Sequence, residues 1–423
     1  MERIVLHSDA NSYYASVECL YTPSLRGKPM AVCGSVDDRH GIVLAKSEAA
    51  KKNGVKTGMA IWQARQVCPK LEVVPPDYDL YMHFSRKLRH IYEEYTNQVE
   101  PFGLDECWLD ISHPHRSICD GEQIAQQIRQ RVKDELGLTV SIGASFNKVF
   151  AKLGSDYKKP DAVTVISKDN YRELVWPLPV SDLIYVGPRT TAKLMKFNVT
   201  TIGQLANTDL GILEQRFGKN GIMLKAFAMG LDQSLVRPVD EEEMVKSVGN
   251  STTPPHDISS VHEGKAILYL LVESVAERLR ALGFKAKQVS ISARGTDLLT
   301  HGCQRTLQAA TDGTAQIADA AIGLFVERFT RDIPFRSMGV SCGRLVPADS
   351  PVQLDLFGDA EKRHRAEQLD RALDSLRYRF GHKIVRRGIV FEDSEFARVN
   401  PAGQTIHPVA FLKEDGVRYD KPR

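Results

Sequence analysis

Short apolar runs alternate with amphipathic stretches in the first part of the chain. The runs at 3–9, 27–33, 41–45, 101–110 and 138–144 have the length and composition of strands. Helices are expected at 10–18, 46–52, 78–97, around 124–132 and at 147–156. The helix at 78–97 carries apolar residues three and four positions apart, which predicts a core-facing stripe: Tyr81, Phe84, Leu88, Ile91, Tyr92 and Tyr95. Strands alternating with helices, some paired through hairpins, predict an α+β, ferredoxin-like sheet.

A second set of elements follows an acidic run at 240–243, which predicts an interdomain linker. After an extended segment, helices are expected at about 260–282 and 315–331, and strands at 286–294, 304–309 and 335–345. Two helices on one face of an antiparallel sheet form a small α/β domain, which is expected to end by Pro347. A basic helix is predicted from about 361 to 380, and the residues beyond 391 carry no functional signal.

Two adjacent carboxylates, Asp105 and Glu106, interrupt the apolar run at 101–110. Buried acids are costly unless they are paired or bound to a metal, so they either face solvent at a hairpin tip or gather around a divalent cation. Strict strand alternation would send them to opposite faces, but Gly103 permits a bend that lets both serve one site. Asp9 ends the first strand and supplies a third carboxylate. Three carboxylates from two strands suit two divalent ions in an in-line phosphoryl transfer.

Two motifs together resemble those of the Y-family translesion DNA polymerases of the DinB/UmuC kind. They are Asp9-Ala-Asn-Ser-Tyr-Tyr-Ala-Ser-Val-Glu18 and Gly103-Leu-Asp-Glu106. The resemblance extends from residue 1 to about residue 345. The chain departs from the family pattern at Asn11, where an acid is common, at Glu48, where many members have a tyrosine, and at Gly103, where the family has a serine.

The resemblance implies a right-hand polymerase with a ferredoxin-like palm, small fingers, a helical thumb and an α/β little finger. The implied boundaries are 1–176 for palm and fingers, with the fingers at about 27–76, then 177–238 for the thumb, 239–346 for the little finger and 347–423 for a tail. The segment Tyr185–Leu194 looks like a helix-hairpin-helix, in which helix N-terminal amides accept a DNA phosphate without reading sequence. A helix-capping turn is the alternative explanation of the Gly187-Pro188 pair.

The resemblance also implies roles for individual residues. Asp9, Asp105 and Glu106 would hold two Mg²⁺ ions, and Glu106 would complete the ion that activates the primer 3′ hydroxyl. The other implied contacts are Tyr14 as the bulky gate against ribose, Lys51 and Lys159 on the triphosphate, Gly187 and Arg189 on DNA, and Gln353, Leu354, Leu356 and Phe357 on a bacterial sliding clamp. Each assignment has an alternative. Tyr14 could pack in the core, the lysines could be solvated surface residues, and residues 351–357 could form a strand packed on the little finger. Lys148 and Lys152 are weaker candidates for phosphate contact.

Composition narrows the class only slightly. The chain has 423 residues, is 42% hydrophobic and 26% charged, and carries a net charge of +3, which fits nucleic-acid binding without requiring it. Its seven cysteines are scattered, odd in number and never spaced Cys-x-x-Cys, which argues for a reducing compartment and against a zinc module. No signal peptide or membrane-length apolar run is apparent. We therefore expect a cytoplasmic protein that acts as a monomer.

The sequence thus predicts a template-directed, error-prone translesion DNA polymerase acting in DNA damage tolerance. It would add deoxynucleotides to a primer 3′ end and release pyrophosphate, without proofreading. Two rivals stay open. Another two-metal enzyme on a similar palm, such as a nucleotide cyclase, would need neither the helix-hairpin-helix nor the clamp peptide. A non-catalytic DNA- and clamp-binding scaffold would tolerate loss of the three acids, all of which are present.

Overall fold

A computed structural model describes residues 3–34, 41–241, 244–330, 334–350, 360–381, 383–392, 395–396 and 399. The chain divides into two compact units, with residues 3–34 and 42–241 in the first and the described residues from 244 onward in the second. The predicted clamp peptide, with Gln353, Leu354, Leu356 and Phe357, lies outside the described residues.

The first unit is built on a five-stranded sheet and a three-stranded sheet. Its strands are β1 (Val5–Ala10), β2 (Met30–Cys33), β3 (Val43–Lys46), β4 (Glu72–Val74), β5 (Val99–Pro101), β6 (Glu106–Asp110), β7 (Val140–Ser145) and β8 (Val163–Ile166). The larger sheet has the order β5-β6-β1-β7-β8, and the smaller has the order β3-β2-β4. In the larger sheet only β7 and β8 pair in parallel. The first four of its strands follow the ferredoxin-like order, as the sequence predicted.

Helices cover both sheets and continue into a helical subdomain. They are α1 (Tyr13–Tyr21), α2 (Glu48–Lys52), α3 (Ile61–Val67), α4 (Tyr78–Glu93), α5 (Ile118–Leu136), α6 (Lys148–Tyr157), α7 (Tyr171–Val175), α8 (Pro188–Met195), α9 (Ile202–Asn207), α10 (Leu210–Phe217) and α11 (Lys219–Ala228). The apolar stripe of α4 is buried as expected except for Tyr95, which lies beyond the end of the helix and is half-buried. The stripe shares one core with α5 and the sheet.

Successive side chains of β1 face alternately the hydrophobic core and the side of the sheet that carries the site. Ile4 and Leu6 point into the core beneath α4 and α5, whereas Val5 packs in a separate cluster with Trp108 and Ala151 of α6. Because side chains two positions apart share a face, residues 5, 7 and 9 all project on the α6 side of the sheet. The end of β1 therefore delivers its acid to a polar layer between the sheet and α6.

The second unit is a four-stranded antiparallel sheet with helices on one face. Its elements are β9 (Ser247–Thr252), α12 (Val261–Ala281), β10 (Phe284–Gly295), β11 (Thr300–Thr311), α13 (Thr314–Arg328), β12 (Phe335–Pro347) and α14 (Ala360–Phe380). The strand order is β11-β10-β12-β9, and α12 and α13 share a hydrophobic core with the sheet. The strand expected at 304–309 extends over Thr300–Thr311 in the structure. Its apolar run is shorter than the strand because alternate positions of β11 are exposed.

Helix α14 belongs to this second unit, although the sequence placed the end of the domain by Pro347. Arg280 of α12 donates to both carboxylate oxygens of Asp374, at 2.6 and 2.8 Å, and Asp370 accepts from the Thr314 backbone N–H at 2.8 Å. Beyond the helix, Val390 and Phe396 are buried in the same hydrophobic core. Charge pairs rather than an apolar stripe hold α14, which is why periodicity did not reveal its packing.

All seven cysteines lie in the described part of the chain, and none of them forms a disulfide. Within the same residues, the structure contains no helix with both the length and the apolar character needed to cross a bilayer.

Candidate active site

The three predicted acids lie where β1 ends and β6 begins. Asp9 and Glu106 are directly opposed partners in the antiparallel β1–β6 pair, so their side chains project from the same face. Gly103 has a φ of 92°, in the left-handed region that suits glycine, and the chain turns there as expected. The backbone N–H of Ala10 donates to the Asp105 carbonyl at 2.9 Å, which holds that residue against the end of β1.

Burial, followed by the charges of neighbouring residues, shifts the pKa values of the acids in this cluster. Burial, together with the nearby Asp9 and Glu106 carboxylates, raises the pKa of Asp105 to about 7. Burial also raises the pKa of Asp9 to about 6, with the Lys159 ammonium opposing the shift. An all-oxygen, anionic donor set of this kind fits a hard divalent cation such as Mg²⁺. Among the described residues, no group of three or more aspartate, glutamate, histidine or cysteine side chains is arranged so that it could hold a metal ion as it stands.

Lysine side chains pair with two of the three acids. Lys159 donates to Asp9 Oδ2 at 2.6 Å and lies 2.6 Å from Asp156 Oδ1, and Lys152 of α6 donates to Glu106 Oε2. The structure therefore brings the predicted triphosphate residue Lys159 to the carboxylates. It also assigns Lys152, a weaker candidate from the sequence, to direct contact with Glu106.

His7 is a site residue that the sequence analysis missed. It is fully buried, with Nε2 3.2 Å from Glu106 Oε2 and Nδ1 2.9 Å from Ser155 Oγ. Burial lowers the pKa of His7 to about 4, so its ring is neutral at pH 7. Burial would raise the pKa of Glu106, but contact with His7 and Lys152 lowers it to about 2. The signal for His7 was its position two residues before Asp9 on the same strand face.

Tyr14 lies at the edge of the cluster, half-buried on α1. Its ring stacks on Tyr81 with centroids 4.1 Å apart, and the edge contact with Tyr78 has centroids 6.1 Å apart. Burial, and after it the charge of Asp105, raises the pKa of Tyr14 to about 12. Tyr13 is buried instead, and its hydroxyl donates to the Tyr81 carbonyl at 2.6 Å.

The other predicted contacts lie apart from the carboxylates. Lys51 is exposed on α2, and its Nζ lies 3.9 Å from Glu48 Oε1. Ser12 donates to the same Glu48 oxygen at 3.1 Å and so links α2 to the start of α1. Gly187 and Arg189 are exposed at the beginning of α8, where Gly187 is the N-cap residue. A Cβ added at Gly187 would meet no atom within 4 Å, so a close partner could approach the backbone there.

Comparison with known families matches two stretches of the chain. The model of the impB/mucB/samB family matches residues 8–156, and that of the impB/mucB/samB family C-terminal domain matches residues 245–356. The chain is 49% identical over 399 residues to a DNA polymerase IV of Acetivibrio thermocellus, covering 94% of this chain and 100% of the relative. It is 39% identical over 388 residues to a DNA polymerase IV of Moorella thermoacetica, covering 91% of this chain and 95% of the relative.

Solved structures with a similar fold include a chimera of the Y-family DNA polymerases Dbh and Dpo4, with a TM-score of 0.72 and 22% identity over 81% of this chain and 99% of the chimera. A post-insertion binary complex of Dbh DNA polymerase gives a TM-score of 0.58 at 22% identity, over 81% of this chain and 99% of that chain. At this level of identity the likeness concerns the fold.

Proposed function

The chain belongs to the Y-family translesion DNA polymerases, in the DNA polymerase IV group, and we propose that Asp9, Asp105 and Glu106 form its catalytic centre. Its activity is template-directed, error-prone addition of deoxynucleotides to a primer 3′ end. The observation that carries the assignment of the centre is the direct opposition of Asp9 and Glu106 at the β1–β6 pair, with the Asp105 carbonyl fastened to the end of β1.

Divalent cations fit this carboxylate cluster because all its donors are anionic oxygens that repel one another. We assign Asp9 and Asp105 to two Mg²⁺ ions, and Glu106 to the ion on the primer side. When bound, such ions lower the pKa of the attacking hydroxyl and neutralise charge on the leaving phosphate oxygens.

The protein's own residues bind and orient the reactants. Lys159 already lies at the carboxylates, where its ammonium can meet a triphosphate as a point charge, and Lys51 supplies a second cation from the fingers. Lys152 and His7 act on Glu106 instead. Lys152 pairs with the Glu106 carboxylate, and His7 fills the buried space behind it. Tyr14 presents its ring beside Asp105 and excludes a ribose 2′ hydroxyl by overlap.

Binding to DNA and to a clamp completes the proposal. Gly187 and Arg189 contact the phosphate backbone of primer-template DNA through exposed groups at the start of α8. Gln353, Leu354, Leu356 and Phe357 bind a bacterial sliding clamp, an assignment that rests on the sequence alone. The protein acts as a monomer in the cytoplasm and has no proofreading activity.

Primer extension with purified protein tests the catalytic centre. Removing one carboxylate forfeits several kcal/mol of charge stabilisation, so Asp105→Ala and Glu106→Ala should each slow extension by at least about a hundredfold. Asp134→Ala is the matched control, because Asp134 is exposed on α5 and accepts from Gln130 on the same helix.

DNA affinity of the same variants, measured by fluorescence anisotropy, should equal that of the wild type. Together with primer extension by the wild type, this readout separates a polymerase from a non-catalytic scaffold, which would bind DNA but extend no primer. Extension by Asp105→Ala at nearly the wild-type rate would refute the assignment of the centre.

A further inference from the structure

Asn11 uses both ends of its carboxamide within the palm. The residue is 6% exposed, and its Nδ2 donates to Ser141 Oγ at 2.9 Å while its Oδ1 accepts from the Asp161 backbone N–H at 2.9 Å. Its own backbone N–H donates to the Thr139 carbonyl at 2.9 Å. Asn11 therefore fastens the loop at 158–161 to the ends of β1 and β7. This is the position where the sequence departs from the acid that is common in the family.

Helix α5 holds the same loop from the opposite side. The Asp161 carboxylate accepts from Arg129 Nη1 at 2.7 Å and from Lys133 Nζ at 2.9 Å. Asp161 has a φ of 54°, a left-handed conformation that costs energy for a residue other than glycine, so the surrounding bonds must hold it. The main chain of Asp161 is thus anchored by Asn11 at its N–H and by Arg129 at its carbonyl, which accepts at 3.2 Å, and its side chain is anchored by both α5 cations.

Lys159 stands two residues before this doubly anchored position. Its ammonium donates to Asp9 Oδ2 at 2.6 Å, across a sequence separation of 150 residues. Since Lys159 is followed by Pro160 and then by Asp161, a displacement of Asp161 would move the lysine relative to the carboxylates. The geometry gives Asn11 control over where the Lys159 ammonium lies.

We propose that Asn11 is a positioning residue that sets Lys159 for the triphosphate of the incoming nucleotide, an inference that rests on the proposed function. An amide side chain offers one acceptor and two donors, which satisfies the Asp161 N–H and the Ser141 hydroxyl at once. Aspartate keeps the acceptor, and the Ser141 hydroxyl can rotate to donate to its second oxygen. Leucine has nearly the same size and offers neither group.

Single-turnover extension over a range of deoxynucleotide concentrations tests the proposal, because it separates the nucleotide Kd from the rate of chemistry. Leaving the partly buried Asp161 N–H unpaired should weaken nucleotide binding in Asn11→Leu about tenfold, with a much smaller change in the maximal rate. Asn11→Asp should restore a Kd within about twofold of the wild type. A purely structural role would instead lower the maximal rate and the melting temperature together.

A second pair of variants approaches the loop through Asp161. Arg129→Gln removes one of the two cations on the Asp161 carboxylate and should raise the nucleotide Kd about threefold. Arg131→Gln is the matched control: Arg131 lies on the same helix and pairs with Glu94 and Glu135, not with the loop. This pair decides the matter if Asn11→Leu does not fold.

The outcomes distinguish this proposal from the proposed function. The role of Asn11 alone would be overturned if the wild type extends primers but the nucleotide Kd is unchanged in Asn11→Leu. The same holds if Asn11→Leu and Asn11→Asp lose nucleotide affinity equally. If Asn11→Leu does not fold, equal Kd values for Arg129→Gln and Arg131→Gln would overturn it too. A wild-type protein that extends no primer would overturn the proposed function.

Discussion

The ring of Tyr14 lies flat against the ring of Tyr81, with the two planes 10° apart and the centroids 4.1 Å apart. Tyr81 is fully buried, and its hydroxyl donates to Glu18 Oε1 at 2.8 Å. The surface behind Tyr14 is therefore packed and hydrogen-bonded, and the ring cannot retreat into it. Exclusion of a substrate hydroxyl by overlap requires a backing of this kind, because a ring that moved aside would admit ribose.

Replacing Tyr14 with alanine should admit ribonucleotides while deoxynucleotide incorporation persists. Discrimination against ribonucleotides should fall on the order of a hundredfold, because overlap with this ring is the proposed basis for rejecting the 2′ hydroxyl. The measurement is the ratio of kcat/KM for matched ribo- and deoxynucleotides. Tyr21→Ala is the control, since Tyr21 lies on the same helix but is exposed beside Phe84. Unchanged discrimination in Tyr14→Ala would assign Tyr14 to core packing.

A methyl group at Gly143 should force α6 away from β7. A Cβ there would lie 1.9 Å from the Ala151 carbonyl oxygen and 2.6 Å from the Ser155 backbone nitrogen, and a rigid helix backbone cannot yield as a side chain does. We expect Gly143→Ala to lower the free energy of unfolding by about 1–3 kcal/mol or more. Urea denaturation measures the change.

Gly187→Ala serves as the control for that experiment, because its added Cβ would meet no atom within 4 Å. Equal urea midpoints for Gly143→Ala and the wild type would mean that α6 is not packed so closely. Lys152 lies on α6 and pairs with Glu106, so primer extension should fall together with stability.

Asp374→Asn should loosen α14 from the second unit. Arg280 has its guanidinium largely buried and pairs with Asp374 through two hydrogen bonds, so removing the charge leaves a buried cation only partly compensated by Asp370. We expect a loss of about 2 kcal/mol in the unfolding free energy. Hydrogen exchange in α14 should accelerate, whereas Ser375→Ala, at an exposed position on the same helix, should leave exchange unchanged. Equal exchange rates in the two variants would show that the charge pairs do not anchor α14.

Leu356→Ala combined with Phe357→Ala should abolish stimulation by the sliding clamp and leave insertion on short primers intact. Burying the apolar surface of each side chain can contribute about 1.5–3 kcal/mol of binding free energy. Ordering the peptide offsets part of that contribution, so clamp affinity should be roughly micromolar. Asp355→Ala, at the variable position of the peptide, is the control. A lower melting temperature and impaired insertion without clamp would show instead that the segment packs on the little finger.

Local sequence determined much of the fold and the identity of the acids. The three-and-four spacing of apolar residues predicted the boundaries of α4 to within about one turn. Gly103 predicted the bend before Asp105 and Glu106. Both features depend on residues that are neighbours in the chain, which is the range over which periodicity and glycine carry information. The Y-family motifs added the order of the subdomains.

Tertiary structure decided which side chains accompany those acids. Lys152 reaches Glu106 across 46 positions, and both Lys159 and Asn11 make contacts across 150 positions. Such pairings depend on the register of β1 with β6 and β7 and on the close approach of α6, and no local pattern encodes them. The sequence presented Lys152 as a weaker candidate for phosphate contact and His7 as part of an apolar strand. The folded protein places both against one carboxylate, because strand register brings His7 beside Glu106 and the packing of α6 on the sheet brings Lys152 there.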